Sequence, residues 1–164
     1  MGAPKVDPAD ALQLAAITFD WAESLDTKCV QDWARLGGIL APELVVDYTE
    51  VTGQKWDAMP AQDFVAMVSD KGFVGDPLVD SHHFIGASKY ETISADCIMG
   101  SHQLRAAHQR YTGPDKKVVE AKGHCHALMR HTYVRVGGEW KLGGLRPKMY
   151  WTEFDFDKIF KGSS

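Results

Sequence analysis

Cysteine is scarce. The chain has three, Cys29, Cys97 and Cys125, in 164 residues, and no CxxC pair. An odd, scattered set argues against a disulfide framework and against a thiolate zinc site, and it fits a reducing, cytoplasmic setting. Long apolar runs are missing too. Nothing approaches the roughly 20 residues that a bilayer-spanning helix needs, so no membrane partner is expected. Positive charge is not in excess: 18 Lys+Arg against 22 Asp+Glu leave a formal net charge of −4. A nucleic-acid partner asks for a basic excess or stripe and is not expected either. The opening MGAPKVDPAD has no charged segment followed by an apolar one, so no secretory signal is read there. There is no G-x-G-x-x-G after a strand pattern, no P-loop, no H-E-x-x-H and no G-x-S-x-G. A nucleotide cofactor, a zincin site and an α/β-hydrolase nucleophile therefore have no support.

What is present is ordinary globular material, 45% hydrophobic and 24% charged. That composition and length point to one domain over 1–164. A chain of this size buries roughly two-thirds of its unfolded surface, so no staple is required. Asp7 followed by Pro8 reads as a helix start. Ala11, Leu14, Ala15, Thr18, Ala22 and Leu25 then keep the helical period, predicting a helix to about residue 24. A second helix over 30–36 is expected to stop at Gly37-Gly38. Residues 44–51 read as a strand, 61–68 as a short helix after Pro60, and 69–77 as a loop. Strands are expected over 82–88, 91–94, 97–111, 118–136 and 139–146. Gly137-Gly138 is a hairpin signal, and Thr112-Gly113-Pro114-Asp115 another turn. The segment 151–160 reads as a C-terminal helix docked on the core, or as a lid. Helices first and strands afterwards predict an α+β fold, with helices on one face of a curved antiparallel sheet.

Seven histidines are present, six of them between residues 82 and 126. Alternate residues of a strand share a face. His83, Ile85 and Ala87 therefore share one face, and His102, Leu104, Ala106 and His108 share another. If both faces line the inside of a curved sheet, His83 and His108 meet across a pocket. Tyr48, in phase with Leu44 and Val46, joins them. Two imidazoles and a phenol in an apolar cup make an acid/base site. The plainer reading is a set of core histidines satisfied by backbone partners. His124 and His126 also share a strand face, as some metal ligands do, but no acidic residue follows closely to complete a set. Packing, or a polar face at a subunit contact, is the expectation there. The opposite face carries Ala121, Gly123, Cys125, Ala127 and Met129, suited to a flat apolar ligand or to core packing.

The segments FDWAESLDTK, APELVVDYTE, WDAMPAQDFVAMVS, HHFIGAS, HQLRAAHQRY, KGHCHA, WKLGGLRP and FDFDKIF occur in this order. Together they resemble the fungal scytalone dehydratase family over about residues 11–160. The resemblance implies a cone-shaped α+β barrel of the nuclear-transport-factor-2-like superfamily. It implies a homotrimer with no metal and no organic cofactor, acting on a small polyketide. Members remove water from reduced polyphenolic polyketides, as in melanin biosynthesis. Carried over by position, the family's central histidines fall on His83 and His108. Its aspartate, holding the second histidine, falls on Asp26, and a water-holding tyrosine on Tyr48. Lid phenylalanines fall on Phe156 and Phe160, and further pocket positions on Met67, Pro147 and Met149.

Three positions depart from the family. Leu25 stands where the family has its other tyrosine, Ala127 where it has a serine, and Met129 where it has an asparagine. The chain between Lys28 and Asp32 also looks longer. A site that loses hydroxyl-binding partners loses discrimination for hydroxyls. These departures imply a larger or less hydroxylated polycyclic ketone than scytalone. The expected reaction is dehydration of a β-hydroxy ketone to an aromatic ring, with His83 as principal acid/base, His108 assisting under Asp26, and Tyr48 polarising the carbonyl. An isomerase or cyclase, or a non-catalytic polyketide-binding module, are the alternatives.

Overall fold

Residues 6–161 are described by the computed structural model. Asp7 caps the first helix, its carboxylate accepting from the Ala9 N–H at 2.8 Å. Helix α1 covers Pro8–Thr27 and ends on Lys28, whose φ of 59° closes the last turn. Leu14, Ile17, Thr18, Trp21, Ala22 and Leu25 are buried along one stripe, which packs on the sheet. Each large side chain taken from water there contributes about 1.5–3 kcal/mol. Helix α2 spans Val30–Ile39. It does not stop at Gly37-Gly38, as expected, but runs through both. Two helical glycines cost about 1 kcal/mol each, and Leu36 (0% exposed) and Leu40 (6%) anchor both sides of the pair.

Strand β1 is Leu40–Tyr48, earlier at both ends than expected, and residues 49–52 form a single helical turn, α3 (Thr49–Thr52). Strand β2, Gln54–Pro60, was not expected, because QKWDAMP carries no alternation; its burial is nearly all on the exposed side. Helix α4 is Ala61–Ser69. Four long strands follow: β3 (Val79–Ser94), β4 (Cys97–Tyr111), β5 (Val119–Val136) and β6 (Glu139–Phe154). Gly137 and Gly138 take φ of 59° and 87° and make the tight β5–β6 hairpin. The expected C-terminal helix is absent: β6 continues through Trp151 to Phe154, and only a 3-10 turn, Phe156–Lys158, remains.

The sheet order is β2-β1-β6-β5-β4-β3. The two outer strands, β2 and β3, do not pair with each other, so the curved sheet stays unclosed. It is also not wholly antiparallel, since β1 runs parallel to β6. The alternation on β4 is strict: Ile98, Gly100, His102, Leu104, Ala106, His108 and Arg110 all face inward. On β5 the inward row is Ala121 to Tyr133 in steps of two. On β3 a register shift between Ile85 and Ser88 breaks the alternation. Ala87 therefore leaves the row of His83 and Ile85, and Ser88 turns in instead. Among the described residues no helix is long and apolar enough to cross a membrane.

Candidate active site

The concave face of the sheet, α1, the 70–78 loop and the C-terminal segment enclose a cavity of about 80 Å³. Leu25, Tyr48, His83, His108, Ala127, Met129, Pro147, Met149, Phe156 and Phe160 all line it. Strand alternation thus brings together the two imidazoles and the phenol from three different strands.

His83 and His108 lie with ring centroids 5.6 Å apart and planes at 77°. Asp26 stands behind His83. Its Oδ1 is 2.6 Å from the ring Nδ1, and its Oδ2 accepts from the His83 backbone N–H at 2.8 Å. A carboxylate held at two points fixes the tautomer with Nδ1–H and leaves Nε2 free to take a proton. This corrects the expectation that Asp26 holds His108. The last turn of α1 packs on β3, the strand of His83, while β4 lies one strand further away. His108 is held instead by Ser81, whose hydroxyl is 2.9 Å from Nδ1. Ser81 and His108 are register partners on β3 and β4. Burial holds the His108 imidazole well below its usual pKa, and the adjacent His83 pushes the same way.

The Tyr48 phenol is pushed up by burial alone. Its hydroxyl has no hydrogen-bond partner among the described residues, although the side chain is 7% exposed. An unpartnered hydroxyl at the cavity wall is a ready donor to a ligand oxygen. The rest of the wall is apolar. Cys125 contributes a thiol whose pKa burial raises, which suits a packing role rather than a nucleophile.

Met67 does not line this cavity. It sits beside Thr52, Gln54 and Gly72 in an adjoining groove that shares Tyr48 and Phe73 with the cavity. Phe64 and Val68 hold the inward stripe of that helix, and Val68 reaches the cavity. Sequence reasoning also missed Trp21, Phe73, Val74 and Ser81. The i, i+4 pair Phe64 and Val68, and the shared row of Ser81 and His83, were the available signals. His124 and His126 point outward and flank Glu153 Oε2 at 3.4 and 3.3 Å. The acidic neighbour comes from the adjacent strand, so it was invisible along the sequence. His126 also stacks on Trp151 at 4.4 Å.

Against known proteins, the family model for scytalone dehydratase matches residues 5–164. The chain belongs to the scytalone dehydratase family. It is 56% identical over 133 residues to the scytalone dehydratase-like protein Arp1 of Metarhizium anisopliae, covering 81% of this chain and 70% of that protein. It is 47% identical over 154 residues to scytalone dehydratase arp1 of Aspergillus fumigatus, covering 94% and 90%. The scytalone dehydratase of Colletotrichum orbiculare is 46% identical over 151 residues, covering 92% and 79%. Among solved structures, Kfla4162 from Kribbella flavida superposes with a TM-score of 0.74 at 17% identity, covering 88% of this chain and 93% of that one. A hexachlorocyclohexane dehydrochlorinase, LinA type 2, gives 0.65 at 17%, covering 89% and 88%. At such identities these two speak for the fold alone, a curved, unclosed six-stranded sheet with few helices.

Proposed function

We propose that this chain is a cofactor-independent dehydratase of fungal polyketide metabolism, of the melanin or a related pigment type. It removes water from a reduced polycyclic β-hydroxy ketone and leaves an aromatic ring. The observation that carries the reading is the Asp26–His83 pair opening onto an apolar cavity beside an unpartnered phenol. Family membership supports the reaction class.

In the reaction, Tyr48 donates a hydrogen bond to the substrate carbonyl and stabilises the charge that builds on its oxygen. His83 Nε2 accepts the α-proton, and the imidazolium that forms is stabilised by the Asp26 carboxylate at Nδ1. The carbon–hydroxyl bond breaks, and the leaving oxygen takes the proton back from His83 to depart as water. His108, kept neutral by burial, orients the leaving hydroxyl under Ser81. Enolisation of the resulting enone completes the aromatic ring and drives the step forward. With Leu25, Ala127 and Met129 in the wall, the cavity offers few polar partners beyond this trio. A larger or less hydroxylated ketone than scytalone fits it best.

His83, His108 and Asp26 can move a proton without expelling water, which makes an isomerase or cyclase the second reading. The homotrimer belongs to the proposal as well. The outer face of the sheet exposes Phe84 (59%), Trp151 (55%) and Phe154 (64%), which a second copy would cover. Light scattering at micromolar concentration is expected to give a mass of three subunits, and a clean monomer removes the trimer.

The deciding experiment is a mass-resolved turnover assay with scytalone beside reduced bicyclic and tricyclic ketones. Loss of one water from a panel member, faster than with His83→Ala, supports the dehydratase. Products of unchanged mass support the isomerase. Tight binding without turnover, undiminished in His83→Ala, leaves only a binding module.

A further inference from the structure

Two separate segments close the mouth of the cavity. The 70–78 loop contributes Phe73 and Val74, and the 155–160 segment contributes Phe156 and Phe160. The two flaps touch, with the Phe73 and Phe160 rings 5.0 Å apart, and Phe160 lies 5.1 Å from the His108 ring. The C-terminal flap leaves the sheet at Phe154, where φ is 57°. Its start is tied to β5 by the Asp155 N–H donating to the Lys122 carbonyl at 2.9 Å. Gly123 permits that close approach, since a Cβ there would lie 2.3 Å from the Phe156 Cα.

The far end of that flap and the 70–78 loop share one anchor. Arg110 stands two residues beyond His108 on the inward row of β4 and is 3% exposed. Its Nε donates to the Ile159 carbonyl at 2.6 Å, and a terminal nitrogen donates to Asp76 Oδ2 at 2.6 Å. Asp76 is itself braced, its Oδ1 accepting from the Leu78 N–H at 2.9 Å. A buried guanidinium is severely penalised when it loses its partners. Here one flap supplies the carboxylate and the other the carbonyl, so opening either alone leaves the cation half-paired.

We propose that Arg110 is a positioning residue that locks both flaps together over His108, so that the cavity opens by their joint movement. What that closure does for catalysis rests on the dehydratase reading; the coupling itself does not.

Amide hydrogen exchange followed by mass spectrometry tests it without any substrate. Asp76→Asn changes the 70–78 flap only. Its effect is expected to reach the unaltered 155–160 flap, whose amides exchange at least about 10-fold faster than in the parent chain. Arg110→Lys keeps a charge but loses the fork, and is expected to accelerate both flaps together. Phe73→Ala removes the ring contact and is expected to leave 155–160 within about threefold of the parent. Acceleration confined to 70–78 in Asp76→Asn overturns the proposal. So does a Phe73→Ala effect on 155–160 as large as that of Asp76→Asn. Should Asp76→Asn fail to fold, Arg110→Lys decides by the same comparison. On any ketone that the parent chain dehydrates, Arg110→Lys is expected to raise KM about 10-fold with kcat and its pH profile little changed. A fall in kcat with unchanged KM speaks against flap positioning. If no ketone is dehydrated, the dehydratase reading fails while the exchange result still decides the coupling.

Discussion

His102 and His108 sit six residues apart on the same inward row of β4, yet their surroundings make them different groups. His108 faces a cavity, His83 and an acidic residue one ring further on. His102 faces a closed cluster. Ser88 lies 2.8 Å from its Nδ1, and the Tyr133 hydroxyl 2.9 Å from its Nε2. Tyr133 also reaches His131 Nδ1 at 3.2 Å and Thr18 Oγ1 at 2.5 Å. Every partner in that cluster is a neutral hydroxyl. Burial lowers the His102 pKa to about 4, and His131, also buried, lies well below its usual value. Trp21 is the partition, its ring 5.5 Å from His83 on one side and 4.9 Å from His131 on the other. Imidazoles on the inner face of the sheet thus stand either at a void with a carboxylate within reach, as His83 does with His108 beside it, or inside a closed ring of hydroxyls, as His102 does.

The comparison can be broken first at His83. His83→Ala is expected to lose about 10³-fold in kcat while keeping its melting temperature within a few degrees. A variant with near-parent turnover on a genuine substrate sinks the assignment. Asp26→Asn comes next. It keeps the shape but removes the charge that stabilises the imidazolium, and a drop of roughly 10²-fold in kcat is expected from steady-state rates. An unchanged rate would show that the pair is structural.

On the closed side the expected effects are on stability. His131→Ala should cost about 3 kcal/mol in urea unfolding, with kcat per folded molecule within about twofold. A large kcat loss with intact stability would erase the distinction between the two regions. Acid acts on the same closed side. The unfolded chain takes up protons at histidine below about pH 6.5, whereas folded His102 does not until about pH 4. Stability is therefore full above about pH 6.5 and falls as the pH drops toward 4, by about 3 kcal/mol from this group, with His108 and His131 acting in the same direction. His102→Gln should flatten that fall. Parallel curves for the two proteins would place the acid sensitivity elsewhere.

Much of this arrangement is legible in the sequence. His108 lies on the regular row of β4, Tyr48 is in phase with Leu44 and Val46 on β1, and His83 is in phase with Ile85 before the shift in β3, so their meeting followed from alternation. Local signals failed where tertiary contacts outweighed them. Gly37-Gly38 reads as a stop, but buried residues before and after hold the helix through it. Phe156 and Phe160 look helical at their spacing, yet strand pairing with β5 takes the chain first. Met67 and Val68 are adjacent, and only the packing of α4 decides which one turns inward. The partner of Asp26 depended on which strand lies under the end of α1, and no sequence spacing encodes that.

The parallel pairing of β1 with β6 has a temporal side. Leu40 aligns with Leu142, so β1 cannot be paired on that side until about 100 further residues have been made. At synthesis rates of about 5–20 residues per second, β1 waits roughly 5–20 s for that neighbour. Such distant pairing slows folding. Leu44 and Val46, buried in the finished molecule, stay uncovered on the nascent chain for that interval.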